Sequence, residues 1–166
     1  MTSRSEAETI RFDSLAAFAA GKRDAGRRII LTNGCFDLLH PGHLAVLSAA
    51  AEMGDTLIVG VNNDQGVRRI KGDGRPVMAL ADRLAILCAV RWVDAVTAFE
   101  GATADRLIEA VRPACYVKGG DYDPRSGGRV LPEADTLARL QIEVAYVPLA
   151  PGHASSDLST RSSQTP

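Results

Sequence analysis

Short apolar, β-branched runs alternate with Ala- and Leu-rich runs along most of the chain, and this alternation narrows the possible folds more than any other feature. Strand-like runs cover 27–34, 56–62, 93–99, 115–120 and 142–149. Helix-like runs cover 43–54, 79–90, 103–111 and 133–140. In 79–90 the apolar residues Leu80, Leu84, Leu87 and Cys88 recur at helical spacing. Gly54 closes one helical run as a C-cap, and Thr103 opens another as an N-cap. A further short helix is expected over 12–26, where Phe12, Leu15 and Phe18 form a packing stripe. Strands joined by helices predict an α/β fold, a Rossmann-like parallel sheet with helices on both faces. One domain spanning 28–156 is expected, after an N-terminal extension (1–27) with its short helix and before a disordered tail (157–166). Residues 1–10 are expected to be loose.

In such sheets ligands bind outside the carboxyl ends of the strands. The polar, Gly-rich segments TNGCFD, VNNDQ, VKGGDY and PGHASS fall there. The net charge is only −1, which argues against a nucleic-acid surface. An anionic ligand must then be held by local cations or backbone donors. Cys35, Cys88 and Cys115 are scattered, which fits a reducing cytosol rather than a disulfide framework. The polar first residues predict no signal peptide, and no run reaches the length of a membrane span, so a cytoplasmic protein without membrane contact is expected.

The most chemically pointed stretch is LTNGCFDLLHPGHLAVL, 31–47. Pro41 and Gly42 stand just ahead of an apolar helical run and mark a helix start. Backbone N–H groups and the positive end of the helix dipole gather there, a ready site for phosphate. His40 and His43 flank it. Two imidazoles can donate to phosphate oxygens without fixed charge, and Gly42 lets the backbone come close. A zinc pair is the alternative, but no third ligand follows at a metal-site spacing.

TNGCFDLLHPGH resembles the signature of the cytidylyltransferase-like nucleotidyltransferases, whose H-x-G-H binds the triphosphate of the incoming nucleotide. The likeness extends over roughly 28–156. GDTLIVGVNND, IKGDGRPV, DRLAILCAVRWVD and VKGGDYDP resemble more narrowly the adenylyltransferases of bacterial ADP-heptose synthesis. Those are often fused to a sugar kinase, and no kinase half is present in these 166 residues, so the resemblance suggests the free-standing form beside a separate kinase. The implied reaction joins ATP to D-glycero-β-D-manno-heptose 1-phosphate and releases pyrophosphate. Mg²⁺ is expected with ATP, its protein ligands unassigned, and a homodimer is implied. A cytidylyltransferase for glycerol 3-phosphate or another sugar phosphate keeps the same chemistry. A nucleotide-binding protein of reduced activity is a third reading.

The resemblance gives His40, His43 and Lys71 catalytic contacts with phosphate, with Lys71 on a mobile loop between an isoleucine and Gly72. It gives nucleotide contacts to Asn33, Gly34, Cys35, Phe36 and Gly42, and to Lys118, Gly119, Gly120, Asp121 and Tyr122. Asp37, Asn62, Asp64, Arg75 and Arg83 fall to the acceptor substrate. Arg83 either reaches phosphates or only pairs with a nearby acid. Arg68 and Arg69 read as solvated charges. The tail departs from the family's Ser-Thr-Thr or Ser-Thr-Ser: Ala154 takes the first place, leaving Ser155 and Ser156 as nucleotide contacts, with STR at 159–161 as another register.

Overall fold

A computed structural model describes residues 7–148. Its elements are β1 (Glu8–Thr9), α1 (Phe12–Asp24), β2 (Ile29–Gly34), α2 (Pro41–Glu52), β3 (Thr56–Asn62) and α3 (Asp64–Lys71). They continue with α4 (Leu80–Cys88), β4 (Ala95–Phe99), α5 (Asp105–Val111), β5 (Cys115–Gly119), α6 (Ala134–Arg139) and β6 (Glu143–Val147). The six strands form one sheet in the order β1-β4-β3-β2-β5-β6. Every pairing is parallel. The expected Rossmann-like sheet is present, and its strand order reverses between β2 and β5. A crevice opens at such a reversal, outside the carboxyl ends of the two strands.

Side chains alternate across the strands and feed two separate cores. Ile29 and Leu31 of β2 and Tyr116 of β5 pack with Leu15, Leu107, Ile108 and Leu137 under α1, α5 and α6. Ile30, Val59, Val96, Cys115 and Val117 pack on the other face with Leu47 of α2 and Leu87 of α4. Gly60 of β3 is required by this packing: a Cβ there would fall 2.2 Å from Cδ2 of Leu107.

Three details differ from the sequence expectation. Residues 8–10 are not loose: Glu8 and Thr9 pair with Ala95 and Val96, and the Ile10 N–H donates to the Val96 carbonyl at 2.8 Å. Residues 64–71, read as a polar loop, form α3. That helix is only eight residues long and mostly polar, and it buries only Gly66 and Val67, so its composition reads as a loop. It is fixed locally instead, by the Asn63 side chain accepting from the Gly66 N–H at 2.8 Å. Thr103 does not cap α5, since Ala104 takes that place and the Thr103 hydroxyl donates to Asp105.

Replacing Gly60 with Ala is expected to lower unfolding free energy by about 1–3 kcal/mol in urea titrations. In a Leu107→Ala background the same change should lower it less, because the clashing methyl is gone. Equal losses in both backgrounds would contradict this packing.

Candidate active site

The turn from β2 into α2 is short and tightly determined. Gly34 ends β2, and the Phe36 ring lies 3.3 Å from where a Cβ on Gly34 would sit. Phe36 itself takes a positive φ of 47°, which turns the chain toward α2. His40 is the N-cap of α2, Pro41 follows at the first helical position, and His43 sits one turn in. The two imidazoles stack with centroids 3.8 Å apart, and Phe36 lies 5.2 Å from His43. The His40 N–H donates to Nδ1 of His43 at 3.4 Å. A nitrogen that accepts carries no proton, so the His43 proton resides on Nε2. Burial, then the charges of His40 and Lys71, push the His43 pKa down to about 4. At neutral pH His43 is therefore an uncharged ring with an N–H to offer.

The far side of the crevice is built from β2 and β5. Asn33, Tyr116 and Lys118 have the strand parity of the α1/α5/α6 face, opposite to α2. The Tyr116 hydroxyl donates to Oδ1 of Asn33, and Lys118 Nζ donates to the same oxygen at 3.3 Å. Lys118 Nζ also lies 4.8 Å from the centre of the Tyr122 ring, and the Arg129 guanidinium lies 4.7 Å from it. Arg129 pairs with Asp121 and folds the loop back after Gly119 and Gly120. An anion held at α2 thus faces a cationic, aromatic wall across the ends of β2 and β5.

A buried clamp ties the turn after β2 to the end of β3 and the start of α3. The Arg83 side chain is fully enclosed. Its Nη1 donates to the Cys35 carbonyl at 2.5 Å and the Asn62 carbonyl at 2.8 Å. Its Nε donates to the Met78 carbonyl at 3.1 Å, and its Nη2 to Asp64 at 2.7 Å. Asp37 does the same for the loop after α3. Its enclosed carboxylate pairs with Arg75 at 2.8 Å and accepts from the N–H groups of Val77 and Met78 at 2.7 and 3.2 Å. Burial pushes the Asp37 pKa up, but Arg75 and those two N–H groups outweigh it and hold it below the ordinary value.

These contacts correct part of the sequence reading. Arg83 does not reach outward to phosphates, because its donors are taken by four protein oxygens. Asp37 is not a substrate-facing carboxylate, because both its oxygens hold the 75–78 loop. The Asn62 side chain is buried and donates to the Gly101 carbonyl at 3.2 Å. Asp64 and Arg75 keep partly exposed side chains beside these clamps. Lys71 is the last residue of α3 rather than part of a loop, and it is exposed. The loop proper begins behind it at Gly72 and Gly74, which have φ of 90° and 81°. Its charge still reaches Cys35, Asp37 and His43. Burial raises the Cys35 pKa despite Lys71 and Arg83, so the thiol stays protonated and is no nucleophile. Ser155 and Ser156, and the alternative 159–161, lie outside the described residues. Among the described residues no group of three His, Cys, Asp or Glu side chains is placed to hold a metal ion. Nor is any described helix long and apolar enough to cross a membrane.

Tyr116 and Arg129 escaped the sequence reading. Tyr116 left one usable sign: it stands two residues before Lys118 in a strand and so shares its face. Arg129 left none, being placed by a loop of irregular backbone.

Comparison with known proteins agrees with this architecture. The profile of the cytidylyltransferase-like family matches residues 31–161. The chain belongs to that family and is a nucleotidyltransferase of the α/β, H-x-G-H kind. It is 43% identical over 152 residues to the bifunctional protein HldE of Streptomyces coelicolor, covering 92% of this chain and 32% of that one. It is 58% identical over 100 residues to the bifunctional protein HldE of Methylococcus capsulatus, covering 60% of this chain and 21% of that one. The chain therefore spans a third or less of the length of these relatives. Among solved structures it is similar to the lipopolysaccharide core biosynthesis protein from Thermoplasma volcanium, with a TM-score of 0.59 and 26% identity. That likeness covers 75% of this chain and 98% of the other.

Replacing Arg83 with Met strips four oxygens of their donor, and unfolding free energy should fall by about 3–5 kcal/mol. Asp64→Asn should lower it less, because the three carbonyls keep their partner. Equal losses in chemical denaturation would contradict the clamp. For His43, the unfolded ring binds a proton near its ordinary value of 6.5, whereas the folded one refuses it down to about 4. Stability from this group is complete above that ordinary value and is lost as pH falls through the window. In thermal melts the wild-type advantage over His43→Asn should shrink from pH 7 to pH 4. A constant difference would exclude the buried neutral ring.

Proposed function

We propose that this nucleotidyltransferase joins ATP to D-glycero-β-D-manno-heptose 1-phosphate, giving ADP-heptose and pyrophosphate. The observation that carries the chemistry is the pair of packed imidazoles at the start of α2, at the same carboxyl edge of the sheet as Lys118 near the end of β5. The substrate pair is supported by the KGDGRPV and VKGGDY segments and by the likeness to HldE proteins.

A sugar phosphate oxygen would attack the α-phosphorus in line, with pyrophosphate leaving. The nucleophile is already ionised at neutral pH, so no strong general base is needed. The protein's part is positioning and neutralisation of charge. His43 would donate through Nε2–H to oxygens on which charge builds, with His40 beside it and the N–H groups of the first α2 turn behind. Lys71, ahead of two glycines, would close on the leaving pyrophosphate. Asn33, Gly34, Phe36, Gly119, Gly120, Asp121 and Tyr122 would line the nucleotide. With no described side-chain cage for a metal, Mg²⁺ would arrive on the triphosphate oxygens as part of the substrate. A cytoplasmic homodimer fed by a sugar kinase, and serving lipopolysaccharide or another surface glycan, completes the proposal.

Pyrophosphate release should be measured for four nucleoside triphosphates against several sugar phosphates, glycerol 3-phosphate included. ATP with the heptose 1-phosphate should be the best pair. His43→Ala should lower its turnover about a hundredfold or more. A better pair with CTP would overturn the substrate assignment, and near-normal turnover of the variant would overturn the phosphate site.

A further inference from the structure

Glu133 is a carboxylate that the nucleotidyltransferase reading leaves unused. It is the N-cap of α6 and is only 3% exposed. One oxygen, Oε1, accepts from the Ala104 N–H at 2.8 Å, which anchors it at the start of α5. The other, Oε2, is buried and has no hydrogen bond among the described residues. An enclosed carboxylate in that state is costly unless a positive charge stands nearby.

The groups facing Glu133 are Tyr116 and Tyr122, both neutral, and Lys118. Lys118 has the complementary difficulty. Burial works against its ammonium form more than any other influence. Among the described residues its polar contacts are a 3.3 Å bond to the Asn33 amide oxygen and the faces of Tyr116 and Tyr122. Among the charges facing it, Glu133 favours the ammonium most, followed by Asp121, while Arg129 opposes it; Cys35 also lies near but is a neutral thiol. Asp121 is already paired with Arg129, so its charge is shared. The orphaned oxygen and the half-buried lysine lie on the same side of the sheet, within reach of each other's charge.

We propose that Glu133 is a positioning residue, a counter-charge tied to α5 that holds Lys118 as an ammonium ion in the β2/β5 crevice. The pairing stands on the fold alone. Its use in binding a nucleotide triphosphate rests on the proposed function.

The lysines are Lys22, Lys71 and Lys118, so each can be followed by NMR in protein carrying ¹³Cε-labelled lysine. Glu133→Gln keeps an oxygen for the Ala104 N–H and removes the charge. Lys118 should then titrate about one pH unit lower or more, with Lys22 and Lys71 unmoved, and Glu133→Asp should restore part of the shift. An unmoved Lys118 would overturn the pairing. The reciprocal variant guards against a misfolded Glu133→Gln: in Lys118→Met the Glu133 carboxyl, read by its ¹³Cδ shift, should titrate about one unit higher or more. An unmoved Glu133 would overturn the pairing equally. Calorimetry with MgATP separates the two layers. If Lys118 shifts in Glu133→Gln and ATP binding weakens toward alkaline pH, both stand. If Lys118 shifts and ATP binding is unchanged, the pairing stands and the nucleotide role of Lys118 falls.

Discussion

Arg83 carries its positive charge into a fully enclosed place, and four oxygens meet it there. They come from the turn after β2, the end of β3, the first residue of α3 and the approach to α4. Those four segments would otherwise be independent loop ends at the carboxyl edge of a parallel sheet. Breaking such a buried arrangement at one partner leaves the others desolvated, which makes it an all-or-none brace. The turn between β2 and α2 keeps its shape because Cys35, the first residue beyond β2, is tied to this guanidinium. Asp37 extends the brace to the 75–78 loop, so the segment that follows Lys71 is fastened to the segment that leads to His40.

The sheet divides the labour of the site by simple parity. Residues of β2 and β5 that point toward α5 and α6 bring Asn33, Tyr116 and Lys118 together. The chain then crosses to the other face and enters α2, where the histidines stand. A ligand lying across the carboxyl edge would meet the uncharged His43 ring on one side and a cation with aromatic rings on the other. Keeping His43 neutral suits a donor to phosphate: it offers an N–H without burying a charge within reach of the exposed Lys71. The cations sit farther out or on the opposite wall, where a long triphosphate can reach them.

Much of this was legible before any coordinates. The βα alternation carries the parallel sheet, and Pro-Gly between two histidines carries the helix start. What escaped has physical causes. α3 is eight residues long and mostly polar, and it buries only Gly66 and Val67, so its composition reads as a loop. The family resemblance made ligand contacts of Asp37 and Arg83, and only the fold reveals that their side chains are enclosed and bonded within the protein. Whether an arginine braces the protein or grips a substrate depends on which backbone carbonyls surround it, and those are set by long-range contacts such as Arg83 to Cys35. The Tyr122–Arg129 contact depends on an irregular loop whose shape no periodic pattern encodes.

The central claim is that His43 is a neutral donor, protonated at Nε2, poised for a phosphate. Long-range ¹H–¹⁵N NMR of the imidazole rings reads it directly, since the chain has only three histidines. At pH 7 the account predicts the Nε2–H tautomer for His43. Adding MgATP should shift its Nε2 resonance and raise its pKa above about 4, because a nearby anion favours the imidazolium. A proton on Nδ1, or rings that do not respond to MgATP, would contradict it.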